Sequence, residues 1–243
     1  MTQLVNQTAL VTGANRGIGR EFVRQLLDRG VAKVYAAARD PRTIVTDDPR
    51  LVPLQLDVTD ADSVARAAEI AQDVSVVVNN AGIARAGSVL DADTSNLRRE
   101  LETNLFGPLA VTSAFADRLA QRSGVVVNVA SILSWIALGG TYGVSKSALW
   151  SATDSIRLEL GPRGVQVVGV YVAYVDTDMS AGADAAKSNP ADVVRQVLDG
   201  VENGSVEIMA DDLTRAVRAN LNQPIETQLA KFLPYRSGQS EQV

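Results

Sequence analysis

Residues 8–19 read TALVTGANRGIG, and the rest of the chain is read outward from them. The run TALVT is apolar and β-branched, as suits a short strand. From Gly17 the apolar spacing becomes helical and stays so through Arg29. Between the two lie glycines at 13, 17 and 19. A glycine-rich turn that follows a strand and opens a helix lets the backbone approach a pyrophosphate, with the helix N-terminus facing the charge. The spacing is G-x-x-x-G-x-G, and on its own it also fits an ordinary strand-to-helix turn.

The next strand is expected over 33–38 and ends at Arg39-Asp40-Pro41. In dinucleotide-binding folds an acidic residue near this point suits the ribose hydroxyl of NAD, whereas an arginine suits a 2′-phosphate. Arg39, with Arg16 in the glycine loop, could grip one phosphate between two guanidiniums. That favours NADP(H) over NAD(H), with Asp40 as the opposing feature. Residues 41–50 carry two prolines and are expected to form a loop or one turn. A third strand follows at 51–56, then a helix from Thr59 or Asp60 to about residue 72. The fourth strand, 74–78, is nearly all apolar, as expected when helices cover both faces of a parallel sheet. It stops at Asn79-Asn80-Ala81-Gly82.

Leucines at 97, 101, 105 and 109, with Phe115 and Leu119, predict a long helix over 95–122. Pro108 removes one backbone donor and should disturb that helix a turn earlier, around Asn104, where a freed carbonyl could hold a water. A fifth strand, 125–129, runs into Ser131. The next helix, 142–160, begins Tyr142-Gly-Val-Ser-Lys146, and residues four apart lie on one helix face. An ammonium about 4 Å from a phenol, at an effective dielectric of about 20, favours the phenolate by roughly 4 kcal/mol, or about 3 pKa units. Lys146 could thereby poise Tyr142 near neutrality, although desolvation opposes this. A sixth strand is expected at 166–171, a helix at 190–198, a short strand at 206–209 and a helix near 212–221. The segment around 178–198, opening with small residues, reads as a lid. The tail, YRSGQSEQV, should fray.

Composition narrows the chemistry. The 243 residues contain no cysteine and no histidine, so thiolates, imidazole bases and the usual transition-metal ligands are absent. Any acid or base is a carboxylate, lysine or tyrosine, and no metal site is expected. The net charge of −5 with scattered basic residues gives no reason to expect nucleic acid or an acidic membrane. No signal peptide or membrane-spanning run is evident, and a cytoplasmic protein is expected.

Strands and helices alternate almost throughout. The predicted fold is α/β: a single-domain, Rossmann-type doubly wound fold over 1–243, with about seven parallel strands and helices on both faces. Taken together, TGANRGIG, NNAG and Tyr142-x-x-x-Lys146 preceded by Ser131 resemble the short-chain dehydrogenase/reductase family over nearly the whole chain. Within it the chain looks like an NADP(H)-dependent carbonyl reductase.

That resemblance implies the roles. Tyr142 would exchange a proton with a carbonyl or alcohol oxygen. Lys146 would lower the phenol pKa and hold the nicotinamide ribose. Ser131 would bind the substrate oxygen, and Asn104 would place a relay water. Gly13, Asn15, Arg16, Gly17, Ile18 and Gly19 would form the cofactor loop, with Arg39 at the 2′-phosphate. Asp57 and Val58 would flank the adenine, Asn80, Ala81 and Gly82 the adjoining ribose, and Val175 and Thr177 the carboxamide. Leu133, Trp135, Tyr174 and Met179 would surround an apolar or aromatic ketone or its alcohol, with Ile136 and Leu138 equally suited to core packing. Val172-Ala173 stands where the family commonly has Pro-Gly. A homodimer or homotetramer built on the helices at 95–122 and 142–160 is expected. Two other readings remain: a cofactor-binding regulatory protein without turnover, and a non-redox enzyme of the same fold.

Overall fold

The computed structural model describes residues 3–85, 87–91, 93–138 and 140–230. The tail expected to fray lies outside the described residues. Seven strands form one parallel sheet: β1 (Thr8–Thr12), β2 (Lys33–Ala38), β3 (Leu51–Gln55), β4 (Val76–Asn79), β5 (Val125–Val129), β6 (Gln166–Tyr171) and β7 (Glu207–Met209). Their spatial order is β3-β2-β1-β4-β5-β6-β7. The chain therefore winds outward from β1 to β3, then returns to pair β4 against the other side of β1. That reversal opens a crevice at the carboxyl ends of β1 and β4, the place where such sheets bind ligands. The glycine turn leaves β1 there, and Asn79–Gly82 leaves β4.

Apolar alternation on both sheet faces explains the two main cores. Ala9, Val11, Val76, Val78, Val125 and Val127 face α1 (Gly17–Asp28) and α6 (Pro190–Glu202). Leu10, Val77, Val126 and Val167 face α2 (Ala61–Ile70), α4 (Gly107–Gln121) and α5 (Thr141–Leu160). Phe22 and Phe115 are fully buried on opposite sides, each contributing roughly 1.5–3 kcal/mol. The strands with residues buried on both faces read in sequence as nearly unbroken apolar runs for this reason.

A chain of amides and hydroxyls crosses the second face. Asn79 and Asn128 are register partners on β4 and β5. Asn79 Nδ2 donates to Asn128 Oδ1 at 2.8 Å and to Thr112 Oγ1 on α4 at 3.0 Å. Asn128 Nδ2 donates to Thr153 Oγ1 on α5 at 3.0 Å. All four residues are buried.

The helix expected over 95–122 is three pieces: α3 (Ser95–Leu101), one turn of π-helix at Glu102–Phe106, and α4. Pro108 has no N–H to give to the Asn104 carbonyl, and Gly107 N–H reaches back to Glu102 O instead. The break falls at Asn104, as the proline position predicts. Residues 41–50 contain only a short 3₁₀ turn, Pro41–Thr43. The C-terminal helices are α7 (Asp212–Ala219) and α8 (Ile225–Ala230), the second without a counterpart in the sequence reading. The helix expected at 190–198, where the lid segment ends, is the first part of α6. Its Val193, Val194, Val197 and Leu198 are buried, because an amphipathic helix at this point covers the sheet.

Candidate active site

The glycine turn is shaped by contact with the β4 edge. Asn80 Nδ2 donates to the carbonyls of Thr12 and Gly13 at 2.9 and 3.2 Å. Thr12 Oγ1 accepts from the N–H groups of Asn80 and Ala81, both at 3.0 Å. Gly13 has φ +64, and an added Cβ would lie 3.0 Å from Ala81 Cα. At Gly19 an added Cβ would overlap the Gly13 carbonyl oxygen and come within 2.5 Å of Asn80 Nδ2. The turn is thus a bare backbone cradle ending on α1, whose Arg16 N-cap makes no side-chain capping bond. The first N–H groups of that helix remain directed outward. These features fit a pyrophosphate.

Around the cradle the predicted residues separate by environment. Arg39 is exposed at the end of β2. Asp40 is engaged by Arg42, whose N, Nε and Nη2 all donate to its carboxylate at 2.9–3.0 Å. That arginine holds the Asp40 carboxyl below its ordinary range. Arg16 lies 3.5 Å from Asp178, both largely exposed. Val58 is buried in the second core, where Gly107 leaves room for its side chain. Asp57 Oδ1 accepts from Thr59 N and Oγ1. Ile18 packs beneath the loop against Val172 and Val175, while Asn15 stays partly exposed. Thr177 approaches Gly17, where an added Cβ would lie 3.2 Å from its Cγ2. Thr177 Oγ1 donates to Val175 O at 3.3 Å. At Val172-Ala173, the Ala173 N–H donates to Asp211 Oδ2 at 2.8 Å.

Beside the cradle, the polar residues of α5, β5 and the π turn converge. The Ser131 side chain faces the Tyr142 phenol, and its Oγ accepts from Leu133 N–H at 3.2 Å. Ser134, the other nearby hydroxyl, donates to Lys146 O at 2.9 Å. Lys146 Nζ donates to Val129 O at 2.8 Å and lies 5.7 Å from the Tyr142 ring centre. Asn104 is fully buried. Its Oδ1 accepts from Ile83 N–H, and its Nδ2 donates to Ile83 O and Ser145 Oγ, each at 2.9 Å. Ser145 Oγ donates to Tyr142 O at 2.7 Å, so the π turn braces the start of α5. Gly82 fits between: an added Cβ would be 3.2 Å from Asn104 Oδ1 and 3.7 Å from Lys146 Nζ.

The ionisation balance differs from the expectation that Lys146 brings Tyr142 toward neutrality. Burial is the largest influence and pushes the Tyr142 phenol above the ordinary tyrosine range. The Ser131 side chain opposes this, and the nearby Glu100 charge adds to it. Burial likewise pushes the Lys146 ammonium down to about 8. Desolvation penalises both charged forms, and the ammonium is committed to Val129 O.

A test of stability follows from Lys146. Its folded pKa is below the unfolded value near 10.5, so below about pH 8 the ammonium is charged in both states and its burial penalty is complete. Between about pH 8 and 10.5 the unfolded chain binds the extra proton, so native stability gains as pH rises. Relative to Lys146→Met, the wild-type chain should gain about 3 kcal/mol across that window. Denaturant melts of both proteins at pH 7 and 10.5 check this, and a constant difference between them would contradict it.

The predicted substrate residues divide. Trp135 stacks on Tyr171 at 4.2 Å, meets Trp150 edge-on at 6.3 Å, and carries the Arg218 guanidinium 5.3 Å above its ring. It is mainly part of an aromatic cluster. Ile136 is buried with Ile132 and Val217, so it serves the core. Leu133, Leu138 and Tyr174 are partly buried, and Met179 is 55% exposed. Glu100, absent from the sequence reading, is buried near Tyr142. Its position one helical turn before Asn104 was the available signal.

A family model described as short chain dehydrogenase matches residues 7–188. The chain belongs to the short-chain dehydrogenase family. An uncharacterized oxidoreductase of Myxococcus xanthus is 30% identical over 96% of this chain and 95% of its own length. Short-chain dehydrogenase srdE of Neurospora crassa is 32% identical over 70% of this chain, and the match spans 62% of that relative's length. A short-chain dehydrogenase from Burkholderia cenocepacia J2315, solved in complex with NADP, is 35% identical with a TM-score of 0.91. That match covers 96% of this chain and 99% of the other. A family member from Burkholderia phymatum, solved with NAD, has a TM-score of 0.83 at 20% identity, over 95% and 97% of the two chains. This last likeness concerns the fold alone. Among the described residues no helix is long and apolar enough to cross a membrane, and no acidic cluster is suited to a metal.

Proposed function

We propose that this short-chain dehydrogenase is an NADP(H)-dependent oxidoreductase that reversibly reduces an apolar or aromatic ketone or aldehyde to its alcohol. The observation carrying this reading is the meeting of Ser131, Tyr142 and Lys146 beside the glycine cradle. The nicotinamide cofactor supplies or accepts hydride. In reduction Tyr142 gives its phenolic proton to the carbonyl oxygen, and in oxidation its oxygen takes the alcohol proton. Ser131 holds the substrate oxygen beside the phenol. Lys146, fixed by Val129 O, supplies positive charge near the ring.

NADP(H) is favoured by the unequal condition of neighbouring charges. Arg39 has no carboxylate partner among the described residues, whereas Asp40 is occupied by Arg42. A free guanidinium suits a 2′-phosphate, and an occupied carboxylate is poorly placed to receive a ribose hydroxyl. The NADP found in the Burkholderia cenocepacia relative agrees. Leu133, Tyr174 and Met179 give the substrate space its apolar character, with residues 178–189 as a lid above it. The exposed Phe106, Val144 and Leu158 favour pairing of two copies through the long helices.

The test is NADPH oxidation over a panel of ketones graded in size and polarity. Turnover should appear with bulky apolar ketones, and its absence across the panel would favour a regulatory cofactor binder. In the same assay Arg39→Asp should lower kcat/KM for NADPH about tenfold or more, consistent with loss of a charge-assisted contact, while NADH is affected less. An unchanged cofactor ratio would remove Arg39 from the 2′-phosphate.

A further inference from the structure

The segment between β6 and α6 leaves and rejoins the body of the protein at one place. Val175 and Ser188 form a single parallel bridge, in which Ser188 N–H donates to Tyr174 O at 2.8 Å and Asp176 N–H donates to Ser188 O at 3.0 Å. Just past it comes a 3₁₀ turn, Asp178–Ser180. Ser180 N–H donates to Thr177 O at 3.0 Å, and Ser180 Oγ is hydrogen-bonded to the carbonyls of Val175 and Thr177. Residues 177 and 178 therefore sit at the pinned base of the lid.

Both meet the glycine turn. Thr177 packs against Gly17, where an added Cβ would lie 3.2 Å from its Cγ2, and Asp178 Oδ2 lies 3.5 Å from Arg16 Nη1. The two pairs are adjacent in sequence on each side, so the base of the lid is joined to the cofactor loop at consecutive positions. They border a cleft of about 360 Å³ that Arg20, Glu21 and Asp176 also line. Glu21 is engaged by Arg24 and Gln25. Among the described residues Arg16 has no ion-pair partner but Asp178, and the Asp178 carboxylate caps no turn and has no partner but Arg16. Both side chains are largely exposed, so the pair is weak in water. A phosphate, which an arginine can grip with two donors, displaces such a partner readily.

We propose that Asp178 is a selectivity-setting residue that holds Arg16 in the cofactor-free chain and yields it to an arriving 2′-phosphate, lowering the preference for NADP(H) over NAD(H). This rests on the cofactor reading above and not on turnover. By linkage, the 2′-phosphate loosens the base of the lid from the glycine turn by the factor by which Asp178 weakens its binding.

The test titrates NADPH and NADH, followed by cofactor fluorescence at low ionic strength, into the wild-type chain, Asp178→Asn, Arg16→Gln and the double variant. Asp178→Asn should raise the ratio of NADPH to NADH affinity about two- to fivefold, the range that an exposed ion pair spans. The gain should shrink in high salt. In the Arg16→Gln background the same substitution should leave the ratio unchanged. Asp176→Asn removes an equal charge from the same cleft without breaking the pair, and should alter both affinities alike. A ratio in Asp178→Asn equal to that of the wild type, a gain that persists in Arg16→Gln, or a gain matched by Asp176→Asn would overturn the proposal. A wild-type chain that does not prefer NADPH would remove the cofactor reading together with it. A preference that Arg39→Asp abolishes and Asp178→Asn leaves alone would overturn this proposal only.

Discussion

Tyr142→Phe is expected to lower ketone turnover by about 10²–10⁴-fold while NADPH still binds, the range a positioned acid contributes. The substitution removes one oxygen and leaves the ring in place. The Asn104–Ser145 brace acts on the Tyr142 carbonyl, not on its side chain, so the start of α5 should be undisturbed. Ser131 keeps its Leu133 N–H bond, and Lys146 keeps Val129 O. A loss confined to kcat, with NADPH fluorescence titration unchanged, is the signature of a missing proton donor. Near-normal kcat would remove Tyr142 from the acid role.

Gly19→Ala should cost cofactor affinity more than any surface change near the site. The new methyl group would occupy the space of the Gly13 carbonyl and crowd Asn80 Nδ2, breaking the bridge that holds the turn against β4. Both obstacles are held by other contacts, Asn80 through two hydrogen bonds, so neither yields cheaply. Overpacking of about 3 kcal/mol corresponds to roughly a hundredfold weaker NADPH binding. Titration of NADPH, with thermal melts showing that the chain still folds, measures it. Binding as tight as in the wild type would mean that the turn does not cradle the cofactor.

The sheet was legible because its inner strands are buried on both faces. That demand writes itself into short valine-rich runs such as 125–129 that few other structures would need. The helix break at Asn104 was legible for a local reason too, a missing donor four residues on. What stayed hidden depends on distant neighbours. The opposed effects on Tyr142 come from Ser131, Glu100 and general burial, which no spacing rule weighs against one another. Trp135 looked like a pocket residue, but Trp150, Tyr171 and Arg218 arrive from three other elements to enclose it. Arg16, expected at a phosphate, lies beside Asp178, which is 162 positions later in the chain. An exposed pair of that kind contributes little stability and leaves the guanidinium available.

The Asn79–Asn128 bridge has a bearing on assembly. Parallel strands of nearly identical valines offer little to distinguish one alignment from the next, and sliding β5 by a single step exchanges its two sides. Here such a slip would strand amide hydrogens of both asparagines in hydrocarbon, and Thr153 would lose its Asn128 donor. Misaligned intermediates are therefore disfavoured at the sheet's centre before its edges close. The reactive rim above β4 and β5 inherits its lateral alignment from two amides in the dry interior.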